Sequence, residues 1–153
     1  MDSTHRATQR ALRTMVQLAQ MLAEPAQDHA AAPLAAQVCK HFNGAERAHH
    51  ESEETTVFPA LLARGDAGVR EQVKRLQQDH MWLEEDWLEL DPHLQAVASG
   101  YCNEHRQFLR DALTEFAGLC AEHMALEESL VHPHAQTGLA RAAAPGAGPE
   151  ATR

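Results

Sequence analysis

The chain has no isoleucine, and aromatics make up only 5% of its 153 residues. Sheets draw on β-branched and aromatic side chains, so a strand-built fold has little to be made from. Basic residues are scarce too: 13 Lys and Arg stand against 22 Asp and Glu, a net charge of −9 with neutral histidines. A phosphate backbone calls for a basic face, so nucleic acid is excluded as a general partner. The one basic run, Arg70 to Arg75, is short and interrupted by Glu71. No apolar run approaches the roughly 20 residues of a membrane-spanning helix, so no membrane partner is expected. The opening MDSTHRATQR lacks the apolar stretch of a secretory signal. Cys39, Cys102 and Cys120 are odd in number and form no Cys-x-x-Cys. They read as reduced thiols in a cytoplasmic protein.

What is present favours helices. Much of the apolar content is Ala and Leu, both strong helix formers. The length suits one domain with a real core. Asp2, Ser3 and Thr4 are N-cap candidates. Behind them His5, Thr8, Leu12, Met15, Ala19 and Leu22 form the stripe of an amphipathic helix ending before Pro25. Residues 24–32 read as a loop, with Pro33 in the first turn of the next helix. Leu34, Val38, Phe42, Ala45, His49, Ser52 and Thr56 make a second stripe, with Glu53 on the same face. Pro59 is expected to bend or end that helix, although 60–63 can carry it further, and Arg64-Gly65-Asp66 is a turn.

The third stripe is the most regular: Val69, Val73, Leu76, His80, Leu83, Trp87 and Leu90 keep heptad spacing. Asp91-Pro92 should interrupt it, and Ser99-Gly100 should break the chain. The fourth stripe runs Tyr101 or Cys102, His105, Leu109, Ala112, Phe116, Leu119, His123, Leu126 and Leu130, and Pro133 should end it. The expected architecture is all-α: an up-down-up-down four-helix bundle over residues 1–135. Residues 136–153, rich in Ala, Gly and Pro, read as a disordered tail.

A histidine pattern occurs twice on these stripes. His5 is followed by His49 in HHESEETTVFP, and His80 by His123 in HMALEESLVHP. Both strings read His, three residues, Glu-Glu, two residues, Val, one residue, Pro. His5 and His80 are 75 residues apart, and His49 and His123 are 74 apart. The chain thus looks like two helical hairpins related by a pseudo-twofold axis. Each stripe carries one histidine of this pattern, and antiparallel helices put all four in one half of the bundle. His5 is shallow, so helices two and three should overhang it.

The His-x3-Glu spacing stacks the two side chains with a rise of about 6 Å. Each histidine can bind one metal while its glutamate reaches a second one. Two facing pairs would supply two carboxylate bridges, with His5 and His80 completing the coordination. Such ligands suit iron, manganese or zinc, and the absence of a thiolate set argues against structural zinc. Ferritin-like centres use four glutamates and two histidines in Glu-x-x-His order; here the ratio and the order are inverted.

Over residues 3–134 the chain resembles the hemerythrin-like domains of the HHE cation-binding family. The resemblance rests on THR at His5, HHESEETTVFPAL, DHMWL at His80 and HMALEESLVHP. It implies a non-haem centre of two iron ions, oxo- or hydroxo-bridged, with a position open to dioxygen, nitric oxide or peroxide. Carried over, the ligands are His5, His49, Glu53, His80, His123 and Glu127. Oxygen-carrying members have a second histidine one turn after the helix-three ligand, where this chain has Glu84, and an aspartate on helix four, where it has Glu127. The set is closer to six-ligand members that handle iron, nitrosative stress or signalling. His132 stands where the family usually has an apolar residue.

Several residues carry alternatives. His50, paired with Glu54, is the alternative to His49. Glu84 is a candidate seventh ligand, and an acid–base group if the protein is a di-iron enzyme rather than a binding protein or sensor. Glu54 and Glu128 are expected to face solvent. His105 is too far along its helix from His123, about 27 Å. His41 is either exposed or behind the ligands, His29, His93 and His134 are surface residues, and Cys120, one turn before His123, either approaches the pocket or is an inert core thiol. Trp87 belongs to the core and Trp82 to the surface. A metal-free helical interaction module is the remaining reading.

Overall fold

The computed structural model describes residues 3–101 and 105–142, with side chains through Leu130. Asp2, Cys102, the side chains of His132 and His134, and residues 143–153 of the expected tail lie outside the described residues. Four helices form the bundle. α1 is Ser3–Met21 and, after a 3-10 turn at Pro25–Gln27, α2 covers residues 28–64. α3 is Ala67–Ala98 and α4 is Arg106–Ala142. Each helix packs on its two chain neighbours, and α1 packs on α4, which closes the ring.

α1 buries the expected stripe, and Ala11 and Leu18 with it. α3 does the same, from Val73 through Leu90, but it does not stop at Pro92. It runs on to Ala98 and buries Leu94 and Val97. Pro92 is on the solvent side, and so is Leu88, whose carbonyl loses its partner there. Water can satisfy that carbonyl, so the proline costs little and the two extra apolar residues hold the turn. α3 starts where Asp66 accepts a hydrogen bond from the Val69 N–H at 2.9 Å. The turn before it needs a glycine: a Cβ on Gly65 would lie 2.5 Å from Val69 Cγ1 and 2.7 Å from the Leu61 carbonyl oxygen. The break after α3 ends at Gly100, at φ +85.

The predicted loop at 24–32 is shorter than expected, because α2 already begins at Asp28. Arg106 clamps that end, donating from both guanidinium nitrogens to the Asp28 carboxylate at 2.6 and 2.5 Å. Pro33 therefore lies inside the helix, again on its exposed side.

α2 also departs from its predicted stripe. Its α-helical segments, Asp28–His41, Arg47–Ser52 and Phe58–Arg64, are joined by π-helical turns at Phe42–Glu46 and Glu53–Val57. Each π turn takes in an extra residue and rotates the helix beyond it. Ala45, Ser52 and Thr56 consequently face solvent, while Glu46, Glu53 and Phe58 turn inward. The first turn is held from α3: Trp87 Nε1 donates to Asn43 Oδ1 at 2.8 Å, and Asn43 Nδ2 donates to Asp91 at 3.0 Å. The second ends at Val57, and Pro59, a residue with no N–H to give, lies in the first turn of the α-helical segment that follows.

α4 buries Leu113, Cys120 and Met124 beside Leu109, Phe116, His123 and Leu130. The predicted Leu119 and His105 are exposed, and Ala112 and Leu126 are half-buried. After Leu109, steps of three to Ala112 and of four to Leu113 are equally helical, and the structure takes the second. α4 also continues past Pro133 to Ala142 rather than ending there. The segment beyond holds Ala, Gln, Leu and Arg, which propagate helix well.

Candidate metal centre

The bundle brings all six predicted ligands together. His5, Glu53, His80, His123 and Glu127 are buried, none more than 6% exposed, and His49 is half-buried. The two glutamates sit between two groups of histidines. Glu127 Oε2 is 3.0 Å from His5 Nε2 and 3.8 Å from His49 Nε2. Its other oxygen, Oε1, is 2.7 Å from His123 Nε2 and 3.5 Å from His80 Nε2. Glu53 divides itself in the same way, with Oε1 3.4 Å from His49 Nε2 and Oε2 3.4 Å from His80 Nε2. Two four-residue groups result, His5-His49-Glu53-Glu127 and Glu53-His80-His123-Glu127. Within each, one ligand atom per residue lies within 4.8 Å of all the others.

A second carboxylate backs each of the lone histidines. Glu54 Oε1 is 2.8 Å from His80 Nδ1, and Glu128 Oε1 is 3.5 Å from His5 Nδ1. These glutamates were expected in solvent; instead each reaches across to the other hairpin. His123 Nδ1 is 3.5 Å from Asp79 Oδ2. A carboxylate on the remote ring nitrogen fixes tautomer and orientation and raises the basicity of the other nitrogen. This arrangement explains why both strings carry a Glu-Glu pair.

The charges in the cluster shape one another. Burial disfavours a charged Glu127, yet His123, His49, His5 and His80 together hold its carboxyl far below the usual range. Glu127 and then Glu128 raise His5 to about 9, against the cost of burial. Burial also opposes the charge on His80, but Glu127, Glu53 and Glu54 outweigh it and raise it to about 10. Burial, and then Glu127 opposite it, pushes Glu53 up.

The donors fit a cation. Glu53 Oε2, His80 Nε2, His123 Nε2 and Glu127 Oε1 are buried and make no hydrogen bond of good geometry among the described residues. Four such atoms converging in one place would be costly without a positive partner. Imidazoles and carboxylates without thiolate suit iron, manganese or zinc.

Other predicted residues fall elsewhere. Glu84, the candidate seventh ligand, is not brought to the cluster: it is exposed and pairs with Arg47 at 3.6 Å. It sits one turn beyond His80 and lines the same cavity as His50 and His80, outside the two ligand groups. His41 is behind the ligands, 2.9 Å from Thr8 Oγ1. His29 is exposed, and His93 is half-buried against Phe108. Cys120 is buried, and burial pushes its thiol well up. Trp82 is 57% exposed and Trp87 is in the core.

The sequence reading missed Glu46, which is buried and accepts the Thr8 hydroxyl at 2.5 Å. Its signal was present in Glu46-x3-His50, a third pair at the spacing of the two strings. The sequence offers His50 as a substitute for His49; the structure turns both toward the cluster. A cavity of about 780 Å³ opens here between α2 and α3, lined among others by Glu46, His50, His80, Leu83 and Trp87. No helix among the described residues is long and apolar enough to cross a membrane.

An uncharacterized protein of Haemophilus influenzae is 33% identical to this chain over 95 residues, which cover 61% of the chain and 52% of that relative. The chain thus spans about half the length of the curated relative it matches. No solved structure matches it significantly. The hemerythrin HHE cation-binding domain matches residues 1–135, which take in α1 to α3, most of α4 and every residue of the cluster. The chain belongs to the hemerythrin HHE cation-binding family.

Proposed function

We propose that this is a cytoplasmic di-iron protein that binds or senses dioxygen, nitric oxide or peroxide, or that handles iron. One observation carries the reading. Two ligand groups share two buried carboxylates, each of which directs one oxygen to each group. Such an arrangement serves a pair of ions better than a single one.

Each residue has a definable task. His5 and His49 would hold one ion, His80 and His123 the other, and Glu53 and Glu127 would bridge them. A ferrous pair, when bound, supplies electrons to a small oxidising ligand. The two carboxylates compensate a change of charge at both positions at once. Glu54, Glu128 and Asp79 keep three imidazoles oriented through their Nδ1 atoms. The cavity between α2 and α3, lined by His50 and His80, gives a ligand a route to the cluster.

Metal analysis and an optical spectrum of the purified protein, before and after dioxygen or nitric oxide, test this. The expected result is about two irons per chain, with absorption that changes on exposure to the gas. Stoichiometric zinc and no iron, after expression in iron-replete cells, would overturn it.

A further inference from the structure

The six-ligand centre uses only one histidine of the His49-His50 pair. His49 faces the group of His5, and His50 turns the other way. Its ring stacks on His80, with centroids 4.0 Å apart and planes at 20°, and meets His123 edge-on at 5.6 Å. His50 Nε2 is buried and makes no hydrogen bond of good geometry among the described residues. One ligand atom from each of His50, His80 and His123 lies within 4.8 Å of the other two.

The backbone accounts for this placement. Consecutive helical residues point about 100° apart. Two neighbours can therefore face two adjacent ions only when the line between them points into the bundle. The predicted stripe aimed His49 straight inward and left His50 on the flank. The π turn at Phe42–Glu46 rotates the segment so that His49 and His50 straddle the core. The second π turn, Glu53–Val57, restores the phase and lets Phe58 bury. Glu46 then lies 3.3 Å from His50 Nε2 and sets a negative charge beside it. π turns confined to a ligating segment commonly mark function.

We propose that His50, with its ring turned out of the stack on His80, is a third imidazole ligand to the ion held by His80 and His123, so that the two ions of the centre have unequal protein donor sets. The proposal rests on the di-metal reading above. It assigns to α2 the extra ligand that the sequence sought on α3 at Glu84.

The test compares wild type, His50→Ala, His50→Gln and Glu84→Ala, each loaded anaerobically with ferrous iron. The readouts are iron per chain, dissociation constants, Mössbauer spectra and X-ray absorption, with helicity checked by circular dichroism. Wild type should show two distinct iron environments. Both His50 variants should keep one iron and bind the second roughly 10–100-fold more weakly, with one imidazole fewer per pair. Added imidazole should restore the second iron in His50→Ala, and Glu84→Ala should match wild type. Two tightly held irons with unchanged spectra in the His50 variants would overturn the proposal and leave the di-iron reading intact. Weakened iron that imidazole fails to restore, in a variant whose Gln counterpart is normal, would show a packing effect and overturn it as well. Failure of wild type to bind an iron pair would instead remove the di-iron reading beneath it.

Discussion

The histidine cluster separates two unequal apolar cores. On one side a large cluster draws on all four helices, with Met15, Leu18, Val38, Leu94 and Leu113 at its centre. On the other side Phe58, Leu61, Val73, Leu76 and Leu130 form a small cluster from α2, α3 and α4 alone. α1 starts at the level of the histidine cluster and does not reach the small end, which is the overhang that a shallow His5 demands. The large core joins all four helices. The small one depends on the charged layer next to it. The two ends should therefore answer differently to changes at the cluster.

The largest effect is expected for Glu127→Ala. Glu127 is 1% exposed and faces four histidines. Removing it would delete one of the two proposed bridges and leave raised histidines without their main counter-charge. Metal binding should be abolished, and the metal-free chain should lose about 3–5 kcal/mol, as when one partner of a buried ionic network is removed. Metal analysis and urea unfolding check the two parts. Retention of two ions would break the assignment of Glu127 as a bridge.

Chelation of the wild type separates the two ends directly. Metal present at a thousand times its dissociation constant stabilises the fold by about 4 kcal/mol. Its removal should speed hydrogen exchange around Phe58, Leu61 and Leu76, and change little around Leu18 and Leu113. The metal-free form should also be more sensitive to pH. His5 at about 9 and His80 at about 10 lie above the ordinary histidine value, each being charged against Glu127. Their contribution is complete below about pH 6.5 and is lost as the pH rises through 9 and 10. Metal needs neutral imidazoles, so loading tightens over the same interval. The gap in melting temperature between loaded and metal-free protein should therefore widen from pH 6 to pH 9. A constant gap would mean that these histidines do not hold the metal.

Within the cores, Leu113→Ala and Leu76→Ala should each cost about 2–5 kcal/mol. Only Leu76→Ala, one turn from His80, should also weaken metal binding. Equal metal affinity in the two variants would show that the ends are not coupled to the centre as unequally as their packing indicates.

How much of this the sequence disclosed depends on the regularity of each helix. α3 has one unbroken α-helical period through the centre, and its stripe from Val73 to Leu90 needs no correction. α1 is equally regular. α2 defeats the same reasoning at Ala45, Ser52 and Thr56, because a π turn changes the period without a change of composition. The local cue was Pro59, two residues after the second turn. The repeated strings carried the six clustered residues, since one His-x3-Glu pair per hairpin needs no tertiary knowledge to line up. Which carboxylates stand behind them was illegible. Glu54 and Glu128 come one residue after the bridging glutamates and so point about 100° away, toward solvent in a lone helix and toward a neighbouring histidine in the bundle.

Those two glutamates give the finest test of the pseudo-twofold arrangement. Glu54 backs His80 from the first hairpin, and Glu128 backs His5 from the second. Loss of such a partner typically weakens metal binding by about 10-fold or more, and a 10-fold loss is about 1.4 kcal/mol. The contacts differ in length, 2.8 Å for Glu54 and 3.5 Å for Glu128, so Glu54→Gln should weaken its ion more than Glu128→Gln does. Titrating each variant with ferrous iron, and following the two ions separately by Mössbauer spectroscopy, reads this out. Glu54→Gln should perturb the ion of His80, and Glu128→Gln the ion of His5. If both variants disturbed the same ion, the carboxylates would act through the net charge of the cluster. The twofold repeat in the sequence would then extend to the ligands and not to the groups that orient them.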